Sequence, residues 1–166
     1  MCFRPAFFAV LVAVAFADHD DPKLTDTLTA KLIGTNKVPK NDSAAVRKAV
    51  GDKKGVVYMK LEFYRKEGEA VWVQYSVKAS KLEGEMPPTK THIHAGLKGQ
   101  NNLVLLDLPC KYKQKSRNDW RCEGVIENLS QVADLTKVTD KPSQFYGNIH
   151  TKRYPDGAVR GQFSRK

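Results

Sequence analysis

Cysteine is scarce, with three in 166 residues, which excludes a mini-protein held together by a disulfide lattice. Eleven Gly and eight Pro are too few for a collagen-like or Pro-rich linker chain. Acidic residues are in deficit: 18 Asp plus Glu stand against 28 Lys plus Arg, for a net charge of +10. Only one apolar run is long, and it lies at the N-terminus. Hydrophobic residues nevertheless make up 41 % of the chain, enough to fill a core and to exclude extended disorder. The length suits one domain.

Residues 1–17 have the layout of a secretory signal peptide. Arg4 supplies the positive start, residues 5–16 are uncharged, and Ala15-Phe16-Ala17 is the small-x-small cleavage pattern. The run is shorter than the ~20 apolar residues of a membrane span. Cleavage removes Cys2 and Arg4 and lowers the net charge to +9. Residues 18–23 form an acidic, flexible lead, and residues 24–166 form the domain. In an oxidising compartment the remaining pair, Cys110 and Cys122, reads as one disulfide. Asn41-Asp42-Ser43 and Asn128-Leu129-Ser130 are candidate glycosylation sites.

Two-residue alternation dominates the chain beyond residue 23. Strands are expected at 24–32, 55–64, 70–77, 89–95, 103–108, 120–126, 145–151 and 158–163. A turn at Glu67-Gly68-Glu69 makes the second and third a hairpin. Tyr154-Pro155-Asp156-Gly157 is a second turn, in which Pro fixes φ and Gly accepts a positive one. Residues 43–50 are helix-compatible, 111–119 read as a charged loop, and 128–138 as a short helix with Leu129, Val132 and Leu135 on one face. The fold class is all-β: an antiparallel sandwich of seven or eight strands with one short helix.

Three histidines carry the sharpest chemical signal. His92 and His94 in Thr91-His92-Ile93-His94 share one face of a strand, ~6–7 Å apart at Cα. With His150 from a neighbouring strand they form a candidate His₃ site for copper or zinc. Asn148, two residues before His150, and Arg160 are candidate supports behind the ligands, with Arg160 more structural than catalytic. The same pattern also fits a solvent-facing pair hydrogen-bonded locally, or a pH-sensitive patch.

Four segments resemble the CHRD family, the repeated domain of chordin. They are Leu32-Ile33-Gly34-Thr35-Asn36-Lys37-Val38-Pro39; Thr91-His92-Ile93-His94-Ala95-Gly96 with Gly99, Asn101 and the apolar run 103–108; Tyr146-Gly147-Asn148-Ile149-His150-Thr151; and Tyr154-Pro155-Asp156-Gly157-Ala158-Val159-Arg160-Gly161-Gln162. Lys37 stands where the family usually carries Glu, Lys40 where a second Pro is frequent, and Ala95 where Gly is common. Residues 111–121, with their flanking cysteines, look like a private insertion. The resemblance implies a secreted β-sandwich that binds other molecules. More loosely, the histidine layout is similar to that of copper-zinc superoxide dismutases, which share a Greek-key sandwich, and the expected fold is accordingly an antiparallel Greek-key β-sandwich.

These features favour a secreted binding module with a candidate metal site over an enzyme. The alternatives are a dismutase-like or metal-dependent enzyme, and a plain interaction domain without metal. The basic excess, expected on loops and strand edges, points to acidic polysaccharides or extracellular proteins as partners. Nucleic acid is disfavoured, because no recognition motif or stacking ribbon is present.

Overall fold

The structure is a computed structural model that describes residues 21–38, 51–83 and 87–166. The expected signal segment, the first half of the lead, Asn41 and the helix-compatible stretch 43–50 lie outside these residues. The described residues form nine strands and one α-helix. In chain order they are β1 (Lys23–Ile33), β2 (Val56–Lys66), β3 (Glu69–Ser80), β4 (Lys90–Ala95), β5 (Val104–Asp107), β6 (Lys113–Ser116), β7 (Asp119–Ile126), α1 (Leu129–Asp140), β8 (Phe145–His150) and β9 (Val159–Arg165).

All the strands belong to one sheet of order β5-β4-β8-β9-β1-β2-β3-β7-β6, and all paired neighbours run antiparallel. The sheet curls until its two ends meet. Cys110, just past β5 at one end, is disulfide-bonded to Cys122 on β7 near the other. Tyr75 of β3 reaches the same seam and donates its hydroxyl to the Pro109 carbonyl at 3.1 Å. The bond closes a loop of twelve residues and contributes about 3 kcal/mol in the chain-entropy account.

The inner face of the curl is the core. Alternation in β2 buries Val57, Met59, Leu61 and Phe63 completely, and β3 answers with Val73 and Val77. Ile93, Ile149 and Phe163 extend the core into β4, β8 and β9. Each fully buried aliphatic or aromatic side chain stabilises the fold by about 1.5–3 kcal/mol. The helix α1 lies against β3 and β5 and buries Val132, Leu135 and Val138 at helical spacing. Asn128 caps it, accepting the Ser130 and Gln131 amides on Oδ1. The β2–β3 hairpin closes on Glu67 (φ 51°) and Gly68 (φ 86°), the paired positive φ values of a type I′ turn.

Two expectations change. The strand count is nine, because the stretch read as a charged loop contains β6, which pairs with β7 through a turn at Asn118 (φ 66°). All four β6 residues are exposed, so this edge strand has no buried face to imprint an alternation on the sequence. The basic residues are also not confined to loops and edges. Lys31, Lys78 and Arg121 are exposed in mid-strand, on the outer face of β1, β3 and β7.

Candidate functional site

At the β5-β4-β8-β9 end, the outer face of the sheet is polar and yet buried. The register sets His92 opposite Asp107 on β5 and Asn148 on β8, and His94 opposite Tyr146. Asn148 in turn pairs with Arg160 on β9. Since paired residues share a face, the histidines, Tyr146, Asn148 and Arg160 form one polar layer. Their chain neighbours Ile93, Ile149 and Val159 point into the core.

Two segments cover this layer. The β4–β5 connection crosses it and is held by Arg160, 2 % exposed, which donates to the Gln100 carbonyl at 2.6 Å and the Leu97 carbonyl at 3.0 Å. Gln162 adds a bond to the Gly96 carbonyl at 2.9 Å. From the other side comes the turn Gly34–Asn36 with Lys37, whose Nζ donates to Asn148 Oδ1 at 3.3 Å and to the Asp156 carbonyl at 2.9 Å. Gly157 makes this approach possible: its φ is 112°, and a Cβ there would fall on Lys37 Nζ and Asn148 Oδ1.

His92, His94, His150, Asn148 and Tyr146 line one cleft of about 430 Å³ between these covers. The His92 and His150 ring centres are 4.8 Å apart, and those of His92 and His94 are 5.6 Å apart. His94 stacks on Tyr146 at 4.7 Å with an interplanar angle of 5°. The Arg160 guanidinium lies over the same Tyr146 ring, 3.4 Å from its centroid. Arg160 thus meets His94 across the shared Tyr146 ring, and its charge adds a further downward push on the His94 pKa.

The hydrogen bonds fix the tautomers. A carbonyl only accepts, so His94 Nδ1, 2.9 Å from the Asn102 carbonyl, carries the proton. His150 Nδ1 donates in the same way to the Pro155 carbonyl at 2.7 Å, and its Nε2 accepts from Asn148 Nδ2 at 2.9 Å. His92 donates from Nε2 to the Asp107 carboxylate at 2.9 Å. The lone pairs left over are His92 Nδ1, His94 Nε2 and His150 Nε2. The first two are buried without any hydrogen-bond partner. Burial first, and then the neighbouring His150, push the His92 pKa down to about 4, against a weaker upward pull from Asp107. Burial likewise lowers His94. Both rings are neutral at pH 7.

The structure therefore gathers His92, His94, His150 and Asn148 in one place, with Arg160 one ring behind. The Cys110–Cys122 disulfide forms as expected. Asn128 is at the exposed start of α1, away from the cleft. Asp107, Asn102 and Tyr146 were not singled out as site residues from the sequence. Tyr146 was reachable by counting back in twos from His150; Asp107 and the Asn102 carbonyl depend on register and loop path, which leave no local mark. Among the described residues, no group of three or more His, Cys, Asp and Glu side chains has the geometry to hold a metal ion. No helix of the described residues is long and apolar enough to cross a membrane.

No curated protein and no solved structure matches the chain. The CHRD domain matches it over residues 28–163, a range that runs from mid-β1 to β9 and contains every residue of the cleft. The chain belongs to the CHRD domain family.

Proposed function

We propose that this CHRD domain is a secreted binding module whose cleft takes a copper or zinc ion on His92, His94 and His150. One observation carries the reading. Each imidazole gives its outer N–H to an oxygen acceptor, and the remaining nitrogen is a lone pair, buried and unpartnered in two of the three rings. An N–H tied to a carbonyl or carboxylate is the usual support behind a metal-ligating histidine, and an unpaired buried polar atom costs about 1–3 kcal/mol unless something binds it. As they stand the three rings do not converge on one point, so binding requires Asn148 to release His150 Nε2 and the rings to turn onto the ion. Three neutral nitrogens suit copper or zinc and leave room for a further ligand.

The test is metal content. The purified chain, loaded with Cu²⁺ or Zn²⁺ and desalted, is expected to retain about one ion per chain by plasma mass spectrometry. A His92→Ala/His94→Ala variant is expected to retain almost none. Equal, sub-stoichiometric metal in both would overturn the metal reading and leave a metal-free interaction domain.

Export is a separate measurement. Expressed in a eukaryotic secretory host with its own N-terminus, the chain is expected in the medium, beginning at Asp18. Retention in the cell with residues 1–17 intact would contradict it. Asn128 caps α1 with Oδ1 and so leaves Nδ2 for a glycan. Unchanged mobility on enzymatic deglycosylation would argue against its use.

A further inference from the structure

The opposite end of the outer face carries a side-chain row that the histidine cleft does not explain. In register, Lys31 of β1 lies opposite Tyr58 of β2, Tyr58 opposite Lys78 of β3, Lys78 opposite Arg121 of β7, and Arg121 opposite Lys113 of β6. Paired residues share a face, so the five side chains form one line across five strands. Their chain neighbours Leu32, Val57, Val77 and Cys122 are buried on the inner face. At ~4.8 Å per strand the line is ~19 Å long.

All four cations are exposed, and none has an ion-pair partner among the described residues. Lys78, Arg121 and Lys113 occupy directly opposed positions, where like charges repel and disfavour the sheet. An acidic residue anywhere along the line would relieve that repulsion, and the line has none. An external polyanion would relieve it instead. The row joins two hollows, one of about 480 Å³ beside Lys31, Tyr58, Ser76 and Lys78 and one of about 350 Å³ beside Lys111, Lys113, Lys115 and Arg121, where the carboxylate Glu123 is outnumbered by four cations.

We propose that this row binds a uronic-acid polysaccharide, laid across the strands from β1 to β6. Lysine and arginine pair with its carboxylate or sulfate groups. Tyr58, 54 % exposed and flanked by Lys31 and Lys78, offers a flat apolar face to the C–H side of a pyranose ring. Thr29, Ser76 and Ser164, which line the same hollow, offer hydroxyls to sugar oxygens. Single-stranded nucleic acid fits less well, because successive bases call for successive aromatic platforms and the row has one. A lipid surface calls for several apolar side chains to insert, and the row offers a single tyrosine ring. The inference names the partner of the extracellular module of the proposed function and rests on that reading, but it does not involve the histidines.

The experiment uses the chain lacking residues 1–17, with fluorescent decasaccharides of polygalacturonate and of heparin at physiological salt. Lys78→Glu/Arg121→Glu is expected to weaken binding at least about tenfold, whereas Lys98→Glu/Lys152→Glu, an equal charge change on exposed residues outside the row, stays within about threefold. Lys78→Gln/Arg121→Gln repeats the test with a smaller perturbation, and matched thermal unfolding shows that each variant folds. Tyr58→Ala weakens binding at unchanged charge. An oligonucleotide of equal charge and anionic vesicles are expected to bind at least about tenfold more weakly. The proposal is overturned if neither decasaccharide binds, if the control pair loses as much as the row pair, or if the oligonucleotide or the vesicles bind as tightly. Failure of export would sink the extracellular reading while leaving the row measurement as it stands.

Discussion

Two ends of one sheet face outward in different ways. Over β4, β8 and β9 the outer face is covered, and its polar side chains are tied down: Arg160 by backbone carbonyls, Asn148 by Lys37 and His150, and each histidine by an oxygen acceptor. Over β1, β2, β3, β7 and β6 it is open: Lys60 is paired with Glu62, but among the described residues the four cations of the row from Lys31 to Lys113 have no carboxylate partner. The inner faces of both ends contribute to one apolar core. The difference follows from solvation. A buried polar group must be paired or destabilise the fold, while an exposed cation is solvated by water and can wait for a partner. The covered end has its polar groups fixed in place, and the open end carries an extended line of positive charge.

The sharpest way to break the comparison is Arg160→Leu. It removes the bonds that hold the β4–β5 connection, takes a charged donor from the Leu97 and Gln100 carbonyls and strips the cation from Tyr146. A loss of about 4 kcal/mol in chemical denaturation is expected. A change under about 1 kcal/mol would mean that the cover is held by something else. Next is Cys110→Ser/Cys122→Ser, which unpins the covered end from the open one. It should cost about 3 kcal/mol while leaving affinity for the acidic decasaccharides unchanged.

Acid then tells the two ends apart. The folded-state pKa of His92 is about 4, against an ordinary value of 6.5, and that of His94 is also lowered. Above pH 6.5 both rings are neutral whether folded or unfolded, and full stability is present. As pH falls from 6.5 towards 4, the unfolded chain takes up protons that the fold refuses, and metal-free protein should lose roughly 2–3 kcal/mol. Urea titrations at pH 7, 5 and 4 measure this, and His92→Gln should flatten the dependence. A loss of the same size in that variant would assign the effect elsewhere. The smallest expected effect is the most diagnostic of the open end. Lys78→Gln/Arg121→Gln should change stability by less than about 0.5 kcal/mol, in contrast to Arg160→Leu.

Much of the fold was legible because most strands have one buried face. Val57, Met59, Leu61 and Phe63 alternate so regularly that β2 could not be mistaken, and the Gly157 turn announced β8 and β9. Where burial is absent the signal fails, and β6 was missed for that reason. The His-x-His pair could be placed on one face by counting, and Asn148 beside His150 in the same way. The role of Arg160 could not. Its partners are carbonyls at Leu97 and Gln100, more than fifty residues back along the chain, and a backbone carbonyl has no letter in a sequence.

The sequence by itself determined the all-β character, the CHRD family, the cysteine pair and the candidate histidines. These depend on residue type and local spacing, and spacing of two is a property of the extended chain. Tertiary structure decided which tautomer each ring adopts, which nitrogens are left unpartnered, and that five residues from five strands form one line. Those depend on register and on the path of covering loops, which bring together groups as far apart as Lys37 and Asp156, 119 residues along the chain. Local spacing carries no information across such a distance, and only the closed curl of the sheet supplies it.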